Sequence, residues 1–264
     1  MFFERYGTGK LTYLGLHGWG ADRNVFAPLA AYVPSAASFF TADLPGCGKS
    51  KFPREWDLEE ILAEIIGTIV LINRGPVTIV GHCGGAILGL LSARMTSRLI
   101  PRVVAIDPFA YMPRYFRVFT GERLGRRAYD STFANPFGRW ITNRVLNAGR
   151  EDQMNMVSTF DSTDHEVARR YLKLFSQMHL DQLRGLQTTV DLVYGEHTFG
   201  AVKKSVEILS GALPLSRAIE LQGSHHLPLK EATGKLSQII FEPSQSMGDY
   251  ETESDVLMAT VGGR

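Results

Sequence analysis

The chain has 264 residues, of which 44% are hydrophobic and 21% charged, and its 28 basic residues nearly balance its 27 acidic ones. These values are those of a folded globular protein with a substantial core, and they exclude disordered, fibrous and coiled-coil proteins. A formal net charge of +1 gives no reason to expect nucleic acid or an anionic membrane as the main partner. The two cysteines, Cys47 and Cys83, are too few for a disulfide framework, so we expect a reducing, cytoplasmic compartment.

The first residues and the most apolar stretch predict neither an export signal nor a membrane span. Glu4 and Arg5 stand where a signal peptide needs apolar side chains. The most apolar long stretch, residues 77–93, is interrupted by His82, Cys83 and several glycines. Such a stretch is typical of a buried strand, a turn and a helix, and not of a helix that crosses a bilayer.

Short apolar runs and helical patterns alternate along the first part of the chain. The runs are rich in β-branched and aromatic residues, which predicts buried parallel strands. The predicted strands are Leu11–His17, Ala37–Asp43, Val77–Gly81 and Val103–Asp107. Helical spacing of apolar side chains covers Leu58–Asn73, and a second helix follows Cys83 with the sequence GGAILGLLSARM. This alternation predicts a mostly parallel sheet with helices on both faces.

The alternation is interrupted over residues 111–185, where the chain becomes basic and aromatic and then continues as polar helices. It resumes with a strand, a helix, a strand and a last helix, at Thr188–Tyr194, from about Ala201, at Arg217–Leu221 and after His226. We therefore predict an α/β core of residues 1–110 and 186–241 that carries a helical cap over residues 111–185. Acidic and small residues dominate 242–264, which predicts a flexible tail.

A cysteine stands in a glycine-rich turn between a predicted strand and a predicted helix. Gly81 lies two residues before Cys83, and Gly85 lies two residues after it. Glycines at this spacing allow a tight turn that raises the side chain above the edge of the sheet. The amino end of the following helix points its dipole at the thiol and favours the thiolate. This pattern predicts a nucleophile, although a buried structural cysteine is the alternative.

Three further motifs contain glycine together with histidine or cysteine. They are Leu14–Gly20 (LGLHGWG), Thr41–Ser50 (TADLPGCGKS) and Gly223–Pro228 (GSHHLP). The second does not predict a nucleotide site, because Asp43 stands where a phosphate-binding loop needs its first glycine. Together with the cysteine turn, and in this order, the motifs resemble the α/β-hydrolase superfamily from about Leu11 to Ile240, apart from the insertion. HGWG and DLPGCGKS are most similar to its pimeloyl-ACP methyl ester esterase branch.

The resemblance implies an α/β-hydrolase fold and a nucleophile, an acid and a histidine in that order along the chain. Cys83 matches the nucleophile, which is serine in most members. His226 matches the histidine, and the neighbouring His225 is the alternative. The implied oxyanion donors are the backbone N–H groups of Trp19 and Gly84. The resemblance implies no cofactor and no metal.

The acid departs from the pattern of the family. Most members carry an aspartate at the position that matches Thr198, and threonine does not hold an imidazolium as a carboxylate does. Some members supply the acid from the end of the preceding strand, which matches Asp107. We prefer Asp107, with Glu196 as the second choice. A cysteine–histidine pair without a carboxylate is a third alternative, because a thiol needs less activation than a hydroxyl.

The predicted cap is basic and aromatic. Over residues 111–150 its arginines are Arg114, Arg117, Arg123, Arg126, Arg127, Arg139, Arg144 and Arg150, against Glu122 and Asp130. Interleaved apolar side chains predict an acyl channel lined by Tyr111, Met112, Tyr115, Phe116, Phe119, Phe133, Phe137 and Trp140. A basic rim over an apolar channel suits an acyl chain delivered by an acidic acyl carrier protein. The alternative is a solvated lid whose arginines maintain solubility.

These observations predict an acyl-transfer hydrolase, an esterase or thioesterase that works through an acyl group linked to Cys83. The expected substrate is an acyl chain bound to a carrier or to CoA, such as a pimeloyl-ACP methyl ester. The residues expected to bind it are His17, Gly18, His82, Tyr111, Tyr115, Phe116, Arg114 and Arg117. An acyltransferase or condensing enzyme with the same acyl-enzyme is one alternative, and a non-catalytic binding protein is another.

Overall fold

The computed structural model describes residues 1–72, 75–146 and 163–242. These residues form a seven-stranded sheet with the strand order β1-β3-β2-β4-β5-β6-β7. The strands are β1 (Phe3–Tyr6), β2 (Leu11–Leu16), β3 (Ala37–Ala42), β4 (Val77–His82), β5 (Arg102–Ile106), β6 (Thr189–Gly195) and β7 (Ser216–Leu221). Each neighbouring pair is parallel except β1 with β3, which confirms the predicted mostly parallel sheet.

The first strand is absent from the elements that the sequence predicts. β1 has four residues, and Glu4 and Arg5 interrupt any apolar pattern in it. It lies at the edge of the sheet and pairs with β3 alone. An edge strand is buried on fewer sides than a central one, so polar side chains are tolerated there and the hydrophobic signal is weak.

Helices cover both faces of the sheet. They are α1 (Leu58–Ile72), α2 (Gly84–Met95), α3 (Arg123–Tyr129), α4 (Pro136–Leu146), α5 (His165–Gln177), α6 (Gly200–Ala212), α7 (Pro228–Glu231) and α8 (Thr233–Phe241). One apolar cluster joins α1, α2 and α6 to strand residues such as Leu14, and a second joins α8 and the 3-10 segment Arg23–Tyr32 to residues such as Tyr13. Leu14 and Tyr13 are neighbours that point to opposite faces, as the pleat of a strand requires. Of the helices in the described ranges, none combines the length and the apolar character needed to cross a membrane.

The chain between β5 and β6 adds helices to this scaffold, and its described part contains α3, α4 and α5. A small apolar cluster around Tyr129, Phe133, Ala168 and Leu172 packs the end of α3 and the turn after it against α5. Arg150, residues 147–162 and the predicted tail beyond Glu242 lie outside the described residues. The division into core, cap and tail stays a prediction.

The parallel strands bring their carboxyl ends to one edge of the sheet, which is where ligands bind in open α/β sheets. Cys83 follows β4, Asp107 follows β5, and His226 lies five residues after the end of β7. Backbone hydrogen bonds fix the first two positions. The N–H of Cys83 donates to Ile106 at 2.9 Å, and the N–H of Asp107 donates to Val193 at 2.7 Å.

Candidate active site

Cys83 occupies a strained turn at the start of α2. Its φ is 52° and its ψ is −117°, and it is the residue that precedes the first turn of the helix. Among the described residues, Cys83 and Asp107 are the two residues other than glycine with a positive φ. Such strain persists only where the surroundings hold it, and it is concentrated at functional sites. The thiol of Cys83 is free and partly exposed, so a reagent can reach it.

His226 joins Asp107 to Cys83. Its Nδ1 lies 2.8 Å from Oδ2 of Asp107, and its side chain is hydrogen-bonded to that of Cys83. Asp107 is fully buried, and its two oxygens accept from three donors. Oδ1 accepts from the N–H of Gly195 at 3.0 Å, and Oδ2 accepts from the hydroxyl of Thr198 at 2.7 Å as well as from His226. A thiol, an imidazole and a carboxylate therefore form a continuous hydrogen-bonded chain.

The contacts of His226 change its proton affinity. Burial of the ring alone lowers its pKa, but the hydrogen bonds to Asp107 and Cys83 and the charges of both groups outweigh burial and raise the pKa to about 10. At neutral pH the ring is therefore an imidazolium. A protonated imidazole beside a thiol favours the nucleophilic thiolate.

This proton has a measurable consequence. We expect acylation by an alkyl ester to fall as the pH rises through about 10, because only the imidazolium can protonate the departing alkoxide. The measurement is single-turnover acylation across pH. A p-nitrophenyl ester of the same acid is the control, since its leaving group needs no proton and its rate should hold at high pH. An alkaline limb near the ordinary imidazole value of 6.5 would contradict the raised pKa.

The alternative acid and the alternative histidine lie in other contacts. Glu196 accepts from the N–H of Gly223 at 2.8 Å and lies 3.7 Å from the ring of His197. The backbone N–H of His225 donates to Glu231 at 2.6 Å. The structure therefore brings Asp107 and His226 together and brings neither alternative into that pair.

Two predicted substrate-binding histidines have different surroundings from those expected. His17 is fully buried, its Nε2 accepts from the N–H of Leu44 at 2.9 Å, and its Nδ1 donates to the carbonyl of Gly18 at 2.9 Å. Both ring nitrogens are occupied by backbone, so the ring supports the loop, and the contact of His17 with substrate stays a prediction. Burial, followed by the charge of His226, lowers the pKa of His82 to about 4.

His82 also faces away from solvent. The side chain is 4% exposed, and its Nε2 donates to the backbone carbonyl of His226 at 3.3 Å. The expected contact of His82 with substrate is therefore replaced by a contact with the loop that carries His226. Gly18 does border Cys83, because a Cβ at this residue would lie 2.8 Å from the Cβ of Cys83.

The loop predicted to supply an oxyanion donor is tied to α5. The indole Nε1 of Trp19 donates to the carbonyl of Ala168 at 2.7 Å, and the hydroxyl of Thr163 donates to the carbonyl of Gly20 at 2.6 Å. Gly84 opens α2, so its N–H is among the donors that a helix leaves unpaired at its amino end. The ring of Phe175, from α5, packs directly on the Cα of Gly84. The oxyanion roles of Trp19 and Gly84 stay predictions.

The aromatic residues of the insertion differ in their exposure to solvent. The rings of Phe116 and Phe133 contact Trp19, and Phe119 and Met112 pack against the same cluster. Tyr115, Phe137 and Trp140 are 65%, 66% and 56% exposed. This outer set faces solvent, although the ring of Tyr115 also contacts Phe116. The acyl channel and the predicted role of Tyr115 stay predictions. Tyr111, Arg114 and Arg117 are exposed, and their contact with substrate stays a prediction.

The arrangement along the sheet edge can be compared with known proteins. Residues 14–237 match the model of the alpha/beta hydrolase family. The chain belongs to the alpha/beta hydrolase family. This hydrolase is also similar to pimeloyl-[acyl-carrier protein] methyl ester esterases. The relative from Hamiltonella defensa subsp. Acyrthosiphon pisum is 22% identical over 89% of this chain and 93% of its own length. That from Sodalis glossinidius is 24% identical over 55% of this chain and 63% of its own length.

Solved structures agree on the fold of this hydrolase. An esterase from Thermogutta terrifontis superposes with a TM-score of 0.72 at 19% identity, over 91% of each chain. A bromoperoxidase from Bacillus anthracis superposes with a TM-score of 0.73 at 15% identity, over 90% of this chain and 92% of its own. These proteins have different activities, so the shared fold says nothing about the substrate, and the site residues must carry that argument.

Proposed function

We propose that this hydrolase cleaves carboxylic esters or thioesters through an acyl group carried on Cys83. The observation that carries the proposal is the hydrogen-bonded chain from Cys83 through His226 to Asp107, with 2.8 Å between His226 and the carboxylate. Asp107 gives the histidine a carboxylate partner although Thr198 stands at the usual place of the acid. This favours catalysis over the non-catalytic alternative.

The chemistry follows from these groups. The thiolate of Cys83 attacks the carbonyl carbon, and the carbonyl electron pair moves to oxygen, where the N–H groups of Gly84 and Trp19 are the proposed donors. Collapse of this intermediate breaks the bond to the leaving group, which takes the proton of His226. The neutral imidazole then removes a proton from water, whose oxygen attacks the acyl-enzyme. The acid is released and Cys83 regains its charge beside the imidazolium.

A sulfur nucleophile narrows the substrate class. Exchange between a substrate thioester and the thiol of Cys83 replaces one thioester by another, so the step is nearly balanced in free energy. We therefore propose an acyl chain held by a carrier protein or by CoA. For a thioester substrate the bond cleaved is the one to the carrier or to CoA, whereas for a pimeloyl-ACP methyl ester it is the methyl ester and the carrier thioester is kept. The similarity to esterases named for an acyl-carrier substrate supports this class. An acyl acceptor other than water would make the same site an acyltransferase.

The surface of the insertion supports an acidic carrier as the partner. Arginines outnumber acidic residues over residues 111–146 of the insertion: Arg114, Arg117, Arg123, Arg126, Arg127, Arg139 and Arg144, against Glu122 and Asp130. Acidic partners are steered to such a surface by charge complementarity.

Cys47 and Cys83 are both free thiols. A nucleophilic thiol persists in a reducing compartment, so we propose the cytoplasm.

Charge reversal tests the carrier. In Arg114→Glu/Arg117→Glu we expect KM for an acyl-carrier substrate to rise about tenfold, because each reversal replaces attraction by repulsion at a rim. KM for the same acyl group on CoA or p-nitrophenol should change by less than about twofold. The control Lys10→Glu/Arg98→Glu makes the same charge change before β2 and β5, at the opposite edge of the sheet. An equal change in KM for all three substrates, or no change for any of them, would contradict an acidic carrier protein as the partner.

A further inference from the structure

A four-residue turn, residues 195–198, begins at the last residue of β6 and connects Asp107, the proposed acid, to the loop that carries His226. Within the turn, the N–H of Thr198 donates to the carbonyl of Gly195 at 3.1 Å. Gly195 has no room for a side chain, because a Cβ there would collide with the backbone carbonyls of Ser224 and His225. The N–H of His197 donates to the carbonyl of Ser224 at 2.9 Å. The turn is thus packed closely against the chain just before His226.

The same turn holds the carboxylate of Asp107 with two groups. The N–H of Gly195 fixes Oδ1 at 3.0 Å, and the hydroxyl of Thr198 fixes Oδ2 at 2.7 Å. Oδ2 is also the oxygen that accepts from Nδ1 of His226 at 2.8 Å, and the hydroxyl oxygen lies 3.4 Å from that nitrogen. Two donors, the hydroxyl of Thr198 and Nδ1 of His226, therefore meet at Oδ2.

Water has little access to this oxygen. Asp107 is fully buried and Thr198 is 5% exposed, so solvent does not readily replace the hydroxyl if it is removed. The backbone of Asp107 has a positive φ of 43°, so the carboxylate depends on its surroundings to stay in place. Without the hydroxyl, Oδ2 of this buried carboxylate has one hydrogen bond fewer, which costs free energy and weakens the hold on its position.

We propose that Thr198 is a positioning residue, whose hydroxyl holds Oδ2 of Asp107 in line with Nδ1 of His226. This inference rests on the proposed function, because it assigns Thr198 a role in the same reaction. Thr198 touches no reacting atom in this account and acts through Asp107. Its hydroxyl therefore supports Asp107, which follows β5, whereas in most members of the family the residue at the position of Thr198 is itself the acid.

Two substitutions separate the hydroxyl of Thr198 from the shape of its side chain: valine keeps the shape without the hydroxyl, and serine keeps the hydroxyl without the methyl group. We expect Thr198→Val to lower kcat about tenfold with KM unchanged, because the hydrogen bond to a charged oxygen is lost. Thr198→Ser keeps the hydroxyl and should stay within about twofold of the wild type. The far-downfield proton resonance of Nδ1–H of His226 should move in Thr198→Val and remain in Thr198→Ser. Thermal unfolding of both variants checks that the fold is intact.

A double-mutant cycle tests whether Thr198 acts through the carboxylate. In the Asp107→Asn background, Thr198→Val should cost less than about twofold, because the interaction it removes is already altered. The same tenfold loss in both backgrounds, or wild-type kcat and resonance in Thr198→Val, would overturn the inference. Failure of the proposed function itself is a different result, namely turnover that survives the loss of Cys83.

Discussion

Cys83→Ala is expected to reduce ester or thioester hydrolysis by a factor of about one thousand or more, as removal of a covalent nucleophile does in other enzymes. The reason is that alanine offers no atom to accept the acyl group, while the fold loses only a partly exposed sulfur. Steady-state turnover of an acyl-CoA thioester and of an alkyl ester measures the effect. Thermal unfolding should be nearly unchanged, which separates loss of chemistry from loss of structure.

The second cysteine provides a matched control. Burial, and then the charge of Asp43, raise the pKa of Cys47 to about 12. Its thiol is therefore protonated and unreactive at neutral pH. Cys47→Ala should keep wild-type turnover, and iodoacetamide at pH 7 should modify Cys83 and spare Cys47. Turnover that survives in Cys83→Ala would remove the acyl-enzyme from the account.

Asp107→Asn is expected to lower kcat roughly a thousandfold, which is somewhat less than the loss from the same change in a serine protease triad. An amide does not balance the charge of the imidazolium, and its NH2 group can displace the correct tautomer of His226. The loss should be smaller than for a serine nucleophile, because a thiol needs less help to ionise. The measurement is kcat for an alkyl ester, with single-turnover acylation to separate the two half-reactions.

Glu196→Gln is the paired control for the acid. Its side chain accepts from the N–H of Gly223 at 2.8 Å, and an amide oxygen can accept the same hydrogen bond. We expect kcat within about twofold of the wild type. A large loss in Glu196→Gln together with a silent Asp107→Asn would show that the acid is assigned to the wrong carboxylate.

The central strands could be predicted from the sequence, because they have local signals. The order of the site residues is implied by the resemblance to the hydrolase superfamily and stays a prediction. A buried parallel strand is a run of apolar residues, and β2, β3, β4 and β5 each have one. The glycines around Cys83 mark a turn, and a turn at the carboxyl end of a strand lies at the edge where sites form. β1 has no such signal, since it is short, polar and at the edge of the sheet.

Contacts between distant segments were beyond local patterns. Trp19 and Ala168 are 149 positions apart, yet the indole of one donates to the carbonyl of the other. Composition marks the insertion as aromatic but does not say which rings face Trp19 and which face solvent. Local patterns also do not predict the contact of Thr198. Its residue type excludes it as the acid, but its hydrogen bond to Asp107 joins residues 91 positions apart.

The most direct test of the account is to look for the covalent intermediate itself. The wild-type protein is mixed with an acyl thioester, quenched in acid within the first turnover, digested and analysed by mass spectrometry. We predict an acyl mass increment on the peptide that contains Cys83 and none on the peptide that contains Cys47. The increment should accumulate further in His226→Ala treated with an activated ester at high pH, because this variant has no imidazole to activate water and deacylation is slow. Product release with no increment on Cys83 at any time during the first turnover would contradict the account.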